Sequence, residues 1–255
     1  MPAQPRSPAR RPLLLQLRRK AQMPRDKSWF FKQNPFTSGL PLAERDRLER
    51  ASEERDLRKR ENLWLSGDPV RHVHLVRSGL LKTSRVSESG HELTLHLFQR
   101  NDLLGETALV LLDKDRKHHE TVCETLDEST VYAVPAEAFL RAIQLHPDLA
   151  MLVTRLVADR RRALEKRIDS LLFKTAHARL ASLFLDLQVR FGVRDSRGTI
   201  LNLKLTHREM ASLIGASRET VSFAILDLRK DELILTEDKR VVLLDEERLQ
   251  ALARS

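Results

Sequence analysis

Cysteine occurs once in the 255 residues, at Cys123, and tyrosine once. A single thiol excludes an internal disulfide and fits a reducing, cytoplasmic compartment. It also leaves too few thiolates for an iron–sulfur cluster held within one chain. Although 41% of the residues are hydrophobic, no long uninterrupted apolar run is present, so no membrane span is expected. A nucleophile–base constellation, a P-loop and a metal-ligand motif are all missing. Gly105-Glu106-Thr107 is too poor in glycine to cradle a phosphate, so the sequence does not read as an enzyme.

Charge is present in excess but is unevenly placed. The formal net charge is +9, yet residues 1–28 alone hold eight basic groups against one acid. Residues 29–173 balance to zero, and residues 174–255 hold 14 basic and 12 acidic groups. Residues 1–28 are expected to be a basic, disordered tail able to touch phosphates non-specifically. The run Leu13-Leu14-Leu15 is too short for a secretory signal, and Met23 offers a second start. Any argument for nucleic-acid binding must therefore rest on the placement of charges within a motif.

That motif lies between Thr206 and Leu228. Thr206 and Glu209 have the spacing of a capping box, so a helix is expected to begin there, with Met210, Ala211 and Ile214 inward. Gly215 marks a tight turn that needs a positive φ. Ser217 caps a second helix whose apolar stripe is Val221, Ile225 and Leu228. Arg218, Glu219 and Ser222 lie opposite, near its N-terminus, where a recognition helix meets base edges. Arg218 presents a fork for guanine O6 and N7, and Glu219 an acceptor for cytosine N4. Phe223 can only touch a thymine methyl. Thr206, Arg208, Ser217 and Thr220 are placed for phosphates, which fix register without reading sequence.

Upstream, a helix is expected over Pro41–Ala51, then short strands from Asp56 to Val134, punctuated by turns at 66–69, 78–79 and 87–90. Strands at this spacing suggest a jelly-roll-like barrel able to enclose a small ligand. A helix follows over Pro135–Gln144, then a long one over Leu149–Leu172. In it Val157, Leu164 and Leu171 fall seven apart, with Leu156, Ala163 and Ile168 alongside. That seam predicts a dimer contact interrupted by Arg160 and Arg167; a helix packed on its own barrel is the alternative. A helix over Ala176–Phe191, a strand over Leu201–Leu205, a hairpin around 237–239 and a terminal helix capped by Asp245 complete a winged helix-turn-helix.

The run Ser217-Arg218-Glu219-Thr220-Val221 resembles the opening of the recognition helix in the Crp/Fnr superfamily of bacterial transcription regulators, and the resemblance spans roughly residues 30–250. It implies an α+β chain: a cyclic-nucleotide-binding-type β-roll sensor (29–148), a dimerisation helix (149–173) and a winged helix-turn-helix (174–255). It also implies a cytoplasmic homodimer acting on palindromic double-stranded DNA with RNA polymerase as a partner, and supports the roles of Arg218 and Glu219. Phe223 stands where many members have arginine. The superfamily's cyclic-AMP binders pair a Gly-Glu for the ribose with an Arg-Ser for the cyclic phosphate. Gly105-Glu106 matches, but the Arg-Ser place falls on His119-Glu120 or on Arg116-Lys117, and the adenine-contacting pair falls on Leu164-Glu165. The expected effector pocket is therefore Gly105, Glu106, Arg116, His119 and Leu164, taking something other than cyclic AMP. A cyclic dinucleotide and haem stay open, as does a degenerate pocket without an effector, or a regulatory subunit acting on another protein. His118, His119, Cys123, His72 and His74 supply metal-ligand chemistry, although a core role for Cys123 is the simpler reading.

Overall fold

The computed structural model describes residues 26–109 and 118–255, so the basic tail and Arg116 lie outside the described residues. The chain begins with helix α1 (Lys27–Gln33), where the Asp26 carboxylate accepts from the Ser28 backbone N–H at 2.9 Å. Its Phe30 and Phe31 rings pack on Tyr132, with centroids 5.1 and 5.5 Å away. The segment read as tail therefore ends inside a helix, held there by a cap and two buried aromatics that composition alone conceals. Helix α2 (Leu42–Ala51) follows, leading into the strands.

Two four-stranded antiparallel sheets build the β-roll. One runs in the order β1 (Glu53–Leu57), β8 (Ser129–Pro135), β3 (His72–Ser78), β6 (Leu103–Leu104). The other runs β2 (Asn62–Trp64), β7 (Val122–Thr125), β4 (Leu80–Val86), β5 (Glu92–Gln99). Leu57, Leu63, Val76, Leu81, Phe98 and Val131 form a buried cluster of the roll. A second core gathers Phe30, Phe31, Leu48, Tyr132 and Phe139 with Leu149, so the helices at both ends of the roll close over one sheet. Burial of side chains this size stabilises by about 1.5–3 kcal/mol each before entropy is counted.

Helix α3 (Ala136–Leu145) starts directly from β8, and α4 (Pro147–Phe173) begins on Pro147, where the missing N–H costs nothing. Leu149, Val153 and Leu156 pack into the β-roll core. Continuing that line at helical spacing come Arg160, Leu164, Arg167 and Leu171. The expected seam is thus divided. Leu156 belongs to the protomer's own core, and Leu164 and Leu171 are half-buried. Val157, Ile168, Leu172 and Phe173 stand in solvent, at 47%, 55%, 69% and 77% exposure.

The C-terminal region opens with α5 (Ala176–Phe191), capped by the Thr175 side chain. Its sheet runs β11 (Ile234–Glu237), β12 (Arg240–Leu243), β10 (Gly198–Leu201), β9 (Gly192–Asp195). The strand expected over Leu201–Leu205 is displaced: β10 ends at Leu201. Beyond it the Asn202 N–H donates to the Phe191 carbonyl (2.8 Å) and the Leu205 N–H to Lys239 (3.2 Å), which draws the chain off the sheet. Helices α6 (His207–Ile214) and α7 (Arg218–Lys230) follow, and α8 (Glu246–Arg254) closes the fold under its Asp245 cap. Leu80 and Leu126 of the β-roll lie in the same buried cluster as Phe184, Met210 and Val221. Sensor and helix-turn-helix therefore share a core.

Candidate DNA-reading face and adjoining pocket

Local chemistry shapes the helix-turn-helix. The Glu209 N–H donates to Thr206 Oγ1 at 3.2 Å while the Thr206 N–H donates to Glu209 Oε2 at 2.6 Å, so both halves of the capping box form. Gly215 ends α6 at φ 62°, the left-handed conformation expected of it, and the Ala216 N–H then donates to Ala211. Ser217 caps α7 through the Thr220 N–H at 3.0 Å. Val221, Ala224, Ile225 and Leu228 turn into the core against Met210, Ala211 and Ile214.

Arg218 and Glu219 are left exposed at the start of α7. The Glu219 carboxylate is held below the usual carboxylate range by its own backbone N–H, the Ser217 hydroxyl and the neighbouring Arg218, so it is a charged acceptor. Phe223 is 68% exposed on the same side. Arg208, Ser217 and Thr220 are also exposed, with the Ser217 and Thr220 hydroxyls 2.9 Å apart. Two expected residues are engaged elsewhere. Ser222 donates to the Arg218 carbonyl at 2.9 Å and meets His207 Nδ1 at 2.8 Å, joining α7 to α6 instead of facing outward with Glu219. The Thr206 hydroxyl is consumed by the capping box. Conversely, Lys59, Arg60 and Lys239 line a cleft of about 380 Å³ beside Thr206. Their convergence joins the β1–β2 turn to the wing, a tertiary meeting that leaves no local signal.

Of the residues expected to line an effector pocket, Gly105, Glu106, His119 and Leu164 are described. Gly105 (φ 78°) follows β6; a Cβ there would lie 2.9 Å from the His72 carbonyl and 3.5 Å from His74 Nδ1. Glu106 opens a single 3-10 turn and pairs with Arg160 of α4. The same guanidinium donates to the Leu103 carbonyl and lies 4.9 Å from the Phe98 ring centre. Arg160, read as an interruption of a dimer seam, thus ties α4 to Glu106 and to the end of β6. His119 is buried and stacks on Trp64 with centroids 4.2 Å apart and planes 11° from parallel. His74 lies 5.5 Å from the same indole, and among the described residues neither Trp64 Nε1 nor His74 Nδ1 has a hydrogen-bond partner. Burial lowers His74 to about 3 and His119 to about 4, so both imidazoles are neutral near neutral pH. Leu164 lies one turn beyond Arg160 and is half-buried. Cys123 is buried in β7, where burial pushes its thiol well up, while His118 is exposed. Among the described residues, no three His, Cys, Asp or Glu side chains group to hold a metal.

Residues 54–146 match the cyclic nucleotide-binding domain family and residues 178–252 the Crp-like helix-turn-helix domain family. The chain is 31% identical over 183 residues to the Global nitrogen regulator of Nostoc sp., covering 72% of this chain and 81% of that one. The chain belongs to the Crp/Fnr superfamily. Within it, the Transcriptional activator protein Anr of Pseudomonas protegens is 32% identical over 200 residues, covering 78% and 80% of the two chains. A solved CRP-family transcriptional regulator from Thermus thermophilus superposes with a TM-score of 0.66 at 26% identity, over 79% of this chain and 97% of that one. The chain is accordingly a DNA-binding transcription regulator of the Crp/Fnr type, a family of regulators and not of enzymes. No helix among the described residues is long and apolar enough to cross a membrane.

Proposed function

We propose that the chain acts as a cytoplasmic homodimer that reads a palindromic DNA site, with Arg218 and Glu219 selecting bases and Arg208, Ser217 and Thr220 holding phosphates. The exposure of Arg218 and Glu219 at the capped start of α7 is the observation that carries this reading. Dimerisation is supported by the apolar groups left in solvent along α4, from Val157 to Phe173. Phe173 also lines a cleft of about 920 Å³ between α4 and the C-terminal region. RNA polymerase contact follows from the same regulatory role. Loss of affinity as salt rises, and relaxed preference at one base pair in Arg218→Ala at a cost of about 1–3 kcal/mol, would support the reading. Equal weakening on all sequences would remove Arg218 from base reading.

The pocket favours an effector other than cyclic AMP. Neutral His119 and the carboxylate of Glu120 occupy one of the two places expected for the cyclic-phosphate ligands, and Arg160 already takes Glu106. A second reading, binding without any effector, is supported by that same pair, because Glu106 already has a partner within the protein. Gel shifts on a palindromic duplex with effector-free protein separate the two: tight specific binding supports the second reading.

A further inference from the structure

The recognition helix carries an apolar surface that its charged residues do not explain. With 3.6 residues per turn, the buried stripe of Val221, Ala224, Ile225 and Leu228 places Glu219, Phe223 and Leu226 at the centre of the opposite face. Phe223 is 68% and Leu226 58% exposed, and at this spacing their side chains are neighbours. Two large apolar groups held in water give up burial energy that contact with an apolar partner would recover. The strip is continuous with Glu219, one of the two groups read as contacting bases, so the partner is the floor of the major groove. The apolar feature there is the methyl at C5 of thymine.

We propose that Phe223 and Leu226 form a reader of the pyrimidine C5-methyl group, acting on a base pair next to those read by Arg218 and Glu219. This rests on the reading of α7 as the helix that enters the major groove. Thymine and 5-methylcytosine carry the same methyl at the same ring position, whereas cytosine and deoxyuridine lack it. The surface therefore accepts thymine and 5-methylcytosine alike and discriminates against both unmethylated bases. Arginine at position 223 would instead donate to a purine, so Phe223 exchanges a hydrogen-bond reading for a methyl reading. Leu226, one turn on, widens the apolar contact.

The test uses the full chain and a duplex enriched by it from a randomised pool. Each thymine of one half-site is replaced in turn by deoxyuridine. At one position the loss of the methyl should weaken binding about three- to fivefold, as expected for one buried methyl. In Phe223→Ala, whose side chain is exposed and outside the core, that difference should vanish while the duplex is still bound. Cytosine at the same position should weaken binding, and 5-methylcytosine should restore most of it. A half-site in which no thymine responds, or a response that survives both Phe223→Ala and Leu226→Ala, overturns the proposal. If no sequence is enriched at all, the major-groove reading of α7 falls with it. If enrichment occurs and Arg218→Ala relaxes it but deoxyuridine is silent, only the methyl reading falls.

Discussion

The Arg160 guanidinium on α4 pairs with the Glu106 carboxylate at the mouth of the β-roll, and both side chains are largely shielded, at 13% and 23% exposure. One ion pair thereby fastens the long helix to the turn after β6 in the same protomer. Removing one partner of a shielded pair leaves the other charge uncompensated, which costs more than the pair itself contributes. Glu106→Gln should therefore destabilise the chain by on the order of 2 kcal/mol and lower Tm by several degrees. Adding Arg160→Met should recover part of that loss in a double-mutant cycle of thermal denaturation. Strict additivity of the two changes would show that the groups do not interact.

Seven residues along α4, Arg167 plays a related part toward the DNA-binding region. Its guanidinium donates to the Thr94 carbonyl of β5 and to the Ser212 (3.1 Å) and Leu213 carbonyls of α6. Beside it the Thr94 and Ser212 hydroxyls meet at 2.8 Å in a buried contact. Hydrogen bonds from a charged donor contribute about 1.5–3 kcal/mol. In Arg167→Met, amide hydrogen exchange should quicken in α6 and in β5 together. Faster exchange in only one of these elements would show that the guanidinium does not couple them.

Acid should weaken the fold through its buried imidazoles. Burial lowers His74 to about 3, with His72, Arg55 and His119 adding to it, and lowers His96 and His119 to about 4. In the unfolded chain a histidine titrates near about 6.5, so between these values the unfolded state holds more protons. Stability is complete above about pH 6.5 and is lost as pH falls toward the folded values. Thermal denaturation between about pH 7 and about pH 4 should show Tm falling, with a shallower fall in His74→Gln. Parallel curves for the two proteins would count against a contribution from His74.

At the turn of the motif, Gly215→Ala should cost about 1 kcal/mol or more, because an L side chain is strained at positive φ. The added Cβ would also approach Leu171 Cδ2 to 2.7 Å, bringing the turn against α4. Leu171→Ala in that background should relieve the contact and leave the strain, so Tm should recover only in part. Full recovery would assign the whole effect to the contact.

What the sequence disclosed of the site follows a physical pattern. The capping box of Thr206 and Glu209, the Gly215 turn and the inner stripe of α7 each depend on neighbours within a few residues, so they are readable from spacing alone. Ser222 misleads because its direction is set by the crossing of α7 over α6, where His207 waits for it. Arg160 and Arg167 look like flaws in an apolar seam until Glu106, Thr94 and Ser212, all far away in sequence, are brought to them. An arginine repeated at seven-residue spacing on the line that continues Leu149, Val153 and Leu156 was the available signal. Phe30 and Phe31 are a different case, since two aromatics beside a basic tail announce nothing until Tyr132 appears beneath them.

The buried thiol in β7 has a practical consequence. Cys123 is fully enclosed and burial pushes its ionisation well above the ordinary range, so thiol reagents should pass it by in the folded protein. A cysteine introduced on the surface, as in Lys230→Cys at the end of α7, would then be the one reactive sulfur in an otherwise native chain. Fluorophores attached there could report the separation of the two recognition helices across a dimer, on and off DNA, without first altering the molecule being watched.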